Sequence, residues 1–486
     1  MNDPEIQATR ALLIEALGAA PDADTSTPDL RTMFTPSSHR LALDPDVTVV
    51  RGARGTGKTY WAKALTDPEL REVASASYMM PRLGRIEVIT GFAQGGGDDP
   101  VFPGKRALAT LVAQGVDAKD LWSAVVLMAL KVPEVLAFES WSDRIEWVSR
   151  NGEKYEAALR RADRETRERG KTLVLLFDTL DHLHNDRRQL DRLLSGLFEV
   201  ALELRLTTGT LRAKIFVRPD LYESAPKAFA DASKLGANAT DLSWSRENLY
   251  GLLFHQLGNH TSEQAKAFRR STGQWRPEGE GRFIAPVDVI ADQKRQEEVF
   301  VTLAGPFMGT DRRKGHTYTW VPNHLQDGLG RVSPRTWLHA LLRSAQLTGE
   351  RYAGHSLPLH YDAIRESLSS ASKNRVAELT DDIGWAALAV ELLEGSQVPM
   401  EPSAVRFSWD KQGLSAKLHE LLKDETQGSG PRDISNAPVP AFALLEELVE
   451  LGVMTKRTNG AIDLPDVYRL AFNIGRKGGV ARKPVS

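Results

Sequence analysis

The chain has 486 residues, 41% of them hydrophobic and 26% charged, with a formal net charge of −2. That length predicts two to four globular domains, and the near-neutral balance excludes a protein that binds nucleic acid through its overall charge. With no cysteine, disulfides, thiolate nucleophiles and cysteine-held metals are excluded; a reducing cytoplasm is the expected compartment.

In chain order, residues 1–18 carry apolar residues at helical spacing (Ile6, Leu13, Ala16, Leu17), and Gly18 ends the run. Residues 21–28 are a polar linker rich in Pro, Asp and Thr. Nothing at the start has the form of a signal peptide. From 47 to about 259, apolar runs that read as strands (47–51, 86–91, 172–178, 212–217 and 239–244) alternate with helical stretches such as 187–206. This alternation predicts a parallel sheet covered on both faces. The most apolar stretch, 124–130, stops at Lys131 and Pro133, far short of a membrane span, so no membrane partner is expected.

Residues 91–100 are glycine-rich and read as a mobile loop, and 260–330 as irregular with one helix near 294–303. Ser333 and Pro334 open a further helix. Residues 356–425 read as helical and 426–440 as a linker. Residues 441–464 read as a helix closed by Gly452, followed by two strands around Thr458-Asn459-Gly460, and a tail follows them. The domain boundaries expected are 1–28 (helix and linker), 29–260 (core), 261–355 (helical lid), 356–440 (helical region and linker) and 441–486 (winged-helix-like segment with a basic tail).

The segment VVRGARGTGKTYW, from Val49 to Trp61, fits G-x-x-x-x-G-K-[ST] through Gly52, Gly57, Lys58 and Thr59, with a strand before it and a helix after it. Successive N–H groups from Gly55 through Thr56 and Gly57 to Thr59 can face one set of phosphate oxygens, and Tyr60 beside them is a further candidate for binding the nucleotide. Lys58 would reach the β- and γ-phosphates, and the Thr59 hydroxyl would ligate Mg2+. Downstream, TLVLLFDTLDHL ends a strand on Asp178, the expected carboxylate partner of the magnesium. The next position is Thr179, where strongly hydrolytic relatives carry a glutamate base. Either Asp181 takes that task or turnover is slow, and Asp181 reads equally well as a helix cap. In KIFVRPDLYE, Arg218 follows a strand and is a candidate sensor of the γ-phosphate, or else the partner of Asp220 or Glu223. Arg335, in SPRTW, is a second candidate of the same kind. His182 and His184 read as a polar helix face rather than metal ligands.

GARGTGKT, LVLLFDTLD and IFVRP, in that order, resemble the STAND/AAA+-related branch of P-loop ATPases. These motifs run from Gly52 to Pro219. The resemblance extends to KAP-like and archaeal-type ATPases with an Asp-x-x-Asp strand end. It implies an α/β P-loop NTPase core with strand order 5-1-4-3-2, in which 212–217 lies between the phosphate-loop strand and the acidic strand. It also implies a helical lid and a C-terminal winged helix. ATP with Mg2+ is the implied ligand, and a slowly hydrolysing nucleotide-dependent switch the implied activity. The remainder resembles bacterial ATPases found among antiphage-defence and mobile-element genes. Closure of a lid over ATP is expected to change how the C-terminal part meets DNA, another copy of the chain or an effector. The alternatives are a DNA-binding initiator or loader resembling origin-recognition ATPases, and a nucleotide-binding scaffold without turnover. Residues 452–486 hold Lys456, Arg457, Arg469, Arg476, Lys477, Arg482 and Lys483 against Asp463 and Asp466. That excess makes the basic end the candidate contact for double-stranded DNA.

Overall fold

The computed structural model describes residues 3–18, 28–94, 101–279, 281–422, 430–431 and 441–477. Parts of three expected segments therefore lie outside the described residues: the 21–28 linker, the glycine-rich loop at 95–100 and most of the 426–440 linker. The end of the basic tail, from 478, lies outside them too. The chain divides into two compact units, one from Pro21 to Ser243 and the other comprising Met1–Ala20 with Trp244–Ser486.

The first unit is built on five strands: β1 (Val49–Arg51), β2 (Ile86–Phe92), β3 (Thr172–Phe177), β4 (Leu211–Val217) and β5 (Ala239–Asp241). Their spatial order is β2-β3-β4-β1-β5, and every pairing is parallel. Read from the other edge, this is the expected order 5-1-4-3-2, so the unit is an α/β fold on a five-stranded parallel sheet. Strand β4 is the inserted one, and β2 lies at the edge.

The near-continuous apolar runs in the sequence are explained by burial on both faces. Along β3, Leu173, Leu175 and Phe177 belong to one apolar cluster, with Val49, Ala213, Ile215 and Val217. Val174 and Leu176 belong to the other, with Val50, Trp61 and Phe216. The apolar stretch at 124–130 is the inner part of the Ala118–Ala129 helix, where Ala124, Val125, Val126 and Leu127 are completely buried against the first of these clusters. Among the described residues, no helix is long and apolar enough to cross a membrane.

One strand position departs from the apolar rule. Lys214 is buried in β4 and donates to the carbonyls of Asp44, at 2.6 Å, and Val47. These bonds fix the turn that delivers the chain into β1.

The core read from the sequence as 29–260 closes earlier, at Ser243. The Arg246–Asn259 helix contributes Leu249, Tyr250, Leu253 and Phe254 to an apolar cluster of the second unit instead. The first helix, Asp3–Gly18, also belongs there: Leu12, Leu13, Ala16 and Leu17 join that cluster, and Arg10 donates to the carbonyls of Leu357 and Pro358. The region 260–330 is more regular than its sequence suggests. It contains the Glu263–Thr272, Gln293–Ala304 and Thr317–Leu325 helices and an antiparallel pair, Arg276–Glu278 with Arg282–Ile284.

Ser333 caps the Pro334–Arg351 helix by accepting from the Thr336 amide. At the C-terminal end of the described chain, the Ala441–Glu450 helix is followed by a short antiparallel hairpin. Thr455–Lys456 pairs with Ile462–Asp463, turning through Gly460 at φ +83°.

Candidate nucleotide site

Strand β1 ends at Arg51, and the amide of Gly52 still donates to the Val217 carbonyl of β4, at 3.0 Å. The loop therefore leaves the sheet beside the end of β4. Gly55 and Gly57 have φ of +75° and +101°, the left-handed region in which a Cβ is strained. Gly52 is glycine for a different reason: a Cβ there would stand 2.5 Å from the Thr56 hydroxyl and 3.1 Å from Cγ of Lys58. Thr56 in turn donates to the Ala53 carbonyl at 2.7 Å, closing the loop on itself. The Lys58–Thr66 helix begins on Gly57, which has no side chain to cap it, so the positive end of its dipole faces the loop. Lys58 folds back over the loop, and its Nζ donates to the carbonyls of Gly52 (2.9 Å) and Ala53 (3.2 Å). Tyr60 sets its ring edge-on to Trp61, which is buried beneath the same helix.

Asp178 follows β3 and is 3% exposed. Its amide donates to the Phe92 carbonyl at 2.9 Å. Burial pushes its carboxyl above the usual range, and the nearby charge of Asp181 adds to this. The Lys58 ammonium, the Thr179 amide and the Thr59 hydroxyl, which donates to the carboxylate, pull the other way. Lys58 and Thr59 thus stand next to the Asp178 carboxylate, beyond the carboxyl ends of β1 and β3. Oδ1 of Asp178 is buried without a hydrogen-bond partner. A buried carboxylate oxygen in that condition is costly unless something else meets it. A carboxylate next to a threonine hydroxyl is the oxygen donor set that suits a hydrated magnesium ion, so Thr59 and Asp178 fit the metal expected from the sequence.

Thr179 adopts φ +54°, uncommon for a β-branched residue. Its hydroxyl donates to the Asp178 carbonyl (2.8 Å) and accepts from the Gln94 amide (2.7 Å). Asp181 lies half-buried on the short Leu180–His182 turn. Among the described residues, His182 and His184 take part in no cluster of metal-ligating side chains.

Arg218 follows β4. Because Val217 pairs with Arg51 and Phe177 with Ile215, it stands at the sheet edge between the phosphate loop and Asp178. Its side chain is buried and grips Asp220 with two hydrogen bonds, Nε to Oδ1 at 3.0 Å and Nη2 to Oδ2 at 2.9 Å. Arg335 belongs to the other compact unit, on the Pro334–Arg351 helix. There its Nη1 donates to Oε1 of Glu378 at 3.3 Å, while Oε2 of the same carboxylate accepts from Arg375 at 2.9 Å.

Sequence reasoning missed the support beneath the loop. The Trp61 indole donates to Nδ1 of His39 at 2.9 Å, and Nε2 of His39 meets the Ser243 carbonyl at 3.0 Å. The ring is therefore neutral with its proton on Nε2. Burial pushes its pKa down to about 4. No spacing in the sequence links residues 39, 61 and 243.

The basic end is less available than its composition suggests. Arg457 pairs with Asp463 (2.6 Å), Arg469 with Asp466 (2.7 Å) and Lys456 with Glu446 (3.1 Å), and Arg476 lies 3.6–3.7 Å from Asp466 and Asp463. Arg482 and Lys483 lie outside the described residues.

No family model matches the sequence, and no curated protein matches it. Among solved structures, Cdc6p from Pyrobaculum aerophilum is similar at 14% identity with a TM-score of 0.31, over 94% of each chain. The ORC2 protein of Aeropyrum pernix, in ADPNP and ADP complexes, is similar at 12% identity with a TM-score of 0.37, over 88% of this chain and 86% of that one. Likenesses this remote carry no functional inference.

Proposed function

We propose that the chain is an ATP-binding P-loop ATPase of slow turnover that works as a nucleotide-dependent switch. The observation that supports this reading is that Lys58 and Thr59 both act on the Asp178 carboxylate, whose Oδ1 is buried and unmatched. The loop amides and the helix N-terminus would receive the phosphates, and Lys58 would exchange its two loop carbonyls for phosphate oxygens. Thr59 and Asp178 would hold Mg2+, which when bound offsets phosphate charge.

Slow turnover is supported by Thr179. Its hydroxyl is engaged on both sides and has no basicity to offer an attacking water, and Asp181 is the carboxylate left nearby for that task. The switch is supported by Arg218, which stands at the sheet edge where a γ-phosphate would lie but is held by Asp220. A role in antiphage defence rests on the likeness of the motifs alone and would be tested by phage challenge of cells with and without the gene.

The experiment is titration of the full chain with a fluorescent ATP analogue, with and without Mg2+, alongside single-turnover phosphate release. Magnesium-dependent binding lost in Lys58→Ala, with release far slower than in strongly hydrolytic ATPases, is expected. Equal binding by Lys58→Ala and the wild type would overturn the reading.

A further inference from the structure

The two hydrogen bonds from Arg218 to Asp220 are part of a larger buried arrangement. Asp220 has a second guanidinium beside it: Nη1 of Arg187 lies 3.5 Å from Oδ2. Arg187 is the first residue of the Arg187–Thr207 helix and is anchored independently of the Asp220 carboxylate. Its Nη2 donates to the Asp220 carbonyl (3.1 Å) and to the Ser224 hydroxyl (2.6 Å), and its Nε to Asp191 (3.2 Å). Ser224 also donates to Asp191, at 2.7 Å. The side chains of Arg187, Arg218 and Asp220 are 9%, 7% and 13% exposed. Burial would push the Asp220 carboxyl up, but Arg218 and Arg187 together hold it below the usual carboxylate range, so it is ionised.

A buried carboxylate with one arginine partner cannot release it without being stranded as an uncompensated charge. A carboxylate with two can release one. Phosphate oxygens and a carboxylate also offer the planar guanidinium similar paired acceptors, so one can replace the other.

We infer that Asp220 is a positioning residue that holds Arg218 in the nucleotide-free protein and yields it to the terminal phosphate of a nucleoside triphosphate, with Arg187 keeping the vacated carboxylate paired. The inference rests on the nucleotide reading above and adds what sets the preference for triphosphate over diphosphate. Competition from Asp220 lowers triphosphate affinity and leaves diphosphate affinity unchanged, because only the terminal phosphate draws on Arg218. Arg187 makes the exchange reversible.

The test is to measure dissociation constants of the full chain for a non-hydrolysable ATP analogue and for ADP, both with Mg2+, and to compare their ratio among variants. Asp220→Asn keeps the shape but removes the competing charge, and should raise the preference for the triphosphate about tenfold, the size of one charge-assisted hydrogen bond. Arg218→Ala should abolish the preference. Arg187→Lys, which keeps a charge but loses the fixed fork, should lower it, and it serves independently if Asp220→Asn does not fold. A ratio unchanged in both Asp220→Asn and Arg187→Lys, with nucleotide still bound, overturns the inference and leaves the nucleotide site standing. A wild type that binds neither nucleotide overturns the site itself.

Discussion

The indole of Trp61 donates to Nδ1 of His39 across 2.9 Å, tying the helix behind the phosphate loop to a ring that is completely buried. Protonation of His39 would turn that acceptor into a donor and break the bond. The folded pKa, about 4, lies below the ordinary 6.5, so the unfolded chain binds more protons between these values. The stabilisation is whole above about pH 6.5 and is lost as pH falls towards 4, and its full size is about 3 kcal/mol. Urea melts at stepped pH should show this slope in the wild type and not in His39→Phe. An equal slope in both would remove His39 as its source.

Lys58 rests on two loop carbonyls that it must leave to meet a phosphate. Lys58→Ala should cost about a hundredfold in ATP affinity, the worth of one or two charge-assisted hydrogen bonds. The melting temperature of the nucleotide-free protein should hardly change. Calorimetric titration together with thermal denaturation separates the two effects.

Asp178 is raised by burial, so its protonated form adds stability that is present at low pH and is lost as pH rises through the folded value. Once ionised, the buried carboxylate is a burden without a cation. Asp178→Asn should therefore stabilise the nucleotide-free protein, read as a raised melting temperature, while abolishing the effect of magnesium on nucleotide affinity. Destabilisation combined with intact magnesium dependence would remove Asp178 from the metal site.

A methyl at position 52 would collide with the Thr56 hydroxyl, 2.5 Å from the new carbon. Gly52→Ala should cost about 1–3 kcal/mol of stability and weaken nucleotide binding. Adding Thr56→Ala should recover most of the stability. Failure of that rescue, read by melting temperature, would place the strain elsewhere.

The paired cations of the C-terminal hairpin bear on the DNA alternative. Four of the seven cations of this end, Arg457, Arg469, Arg476 and Lys456, are engaged by acids and would have to be released before meeting phosphate. The plot of log affinity for duplex DNA against log salt should be no steeper than about −3. A markedly steeper slope that is lost on removing residues 469–486 would mean that the ion pairs open on DNA.

The strands were legible because β1, β3 and β4 are buried on both faces and therefore read as unbroken apolar runs. The loop was legible because Gly52, Gly57, Lys58 and Thr59 are fixed by local backbone geometry and chemistry. Lys214 was not, since a lysine inside a strand gives no hint that it is buried to hold two carbonyls of the chain entering β1. Nor was His39, whose partners lie 22 and 204 residues away. The pairing of Arg218 with Asp220 was visible as one of two readings, but the second arginine was not, because Arg187 comes from a helix 33 residues upstream of Asp220. The affiliation of the first helix was hidden for a similar reason. Its apolar stripe announces that it packs, but not on what.

That affiliation decides how the chain can be cut. The sheet-bearing unit is one uninterrupted stretch, while its companion is assembled from both ends of the polypeptide. A fragment covering 28–243 keeps every strand of the parallel sheet and both of its apolar clusters. One starting at 244 forfeits Leu12, Leu13, Ala16 and Leu17 and leaves their neighbours wet. Deleting the first helix to simplify expression would thus damage the C-terminal half and spare the sheet-bearing unit that follows it directly, the reverse of what proximity along the chain suggests.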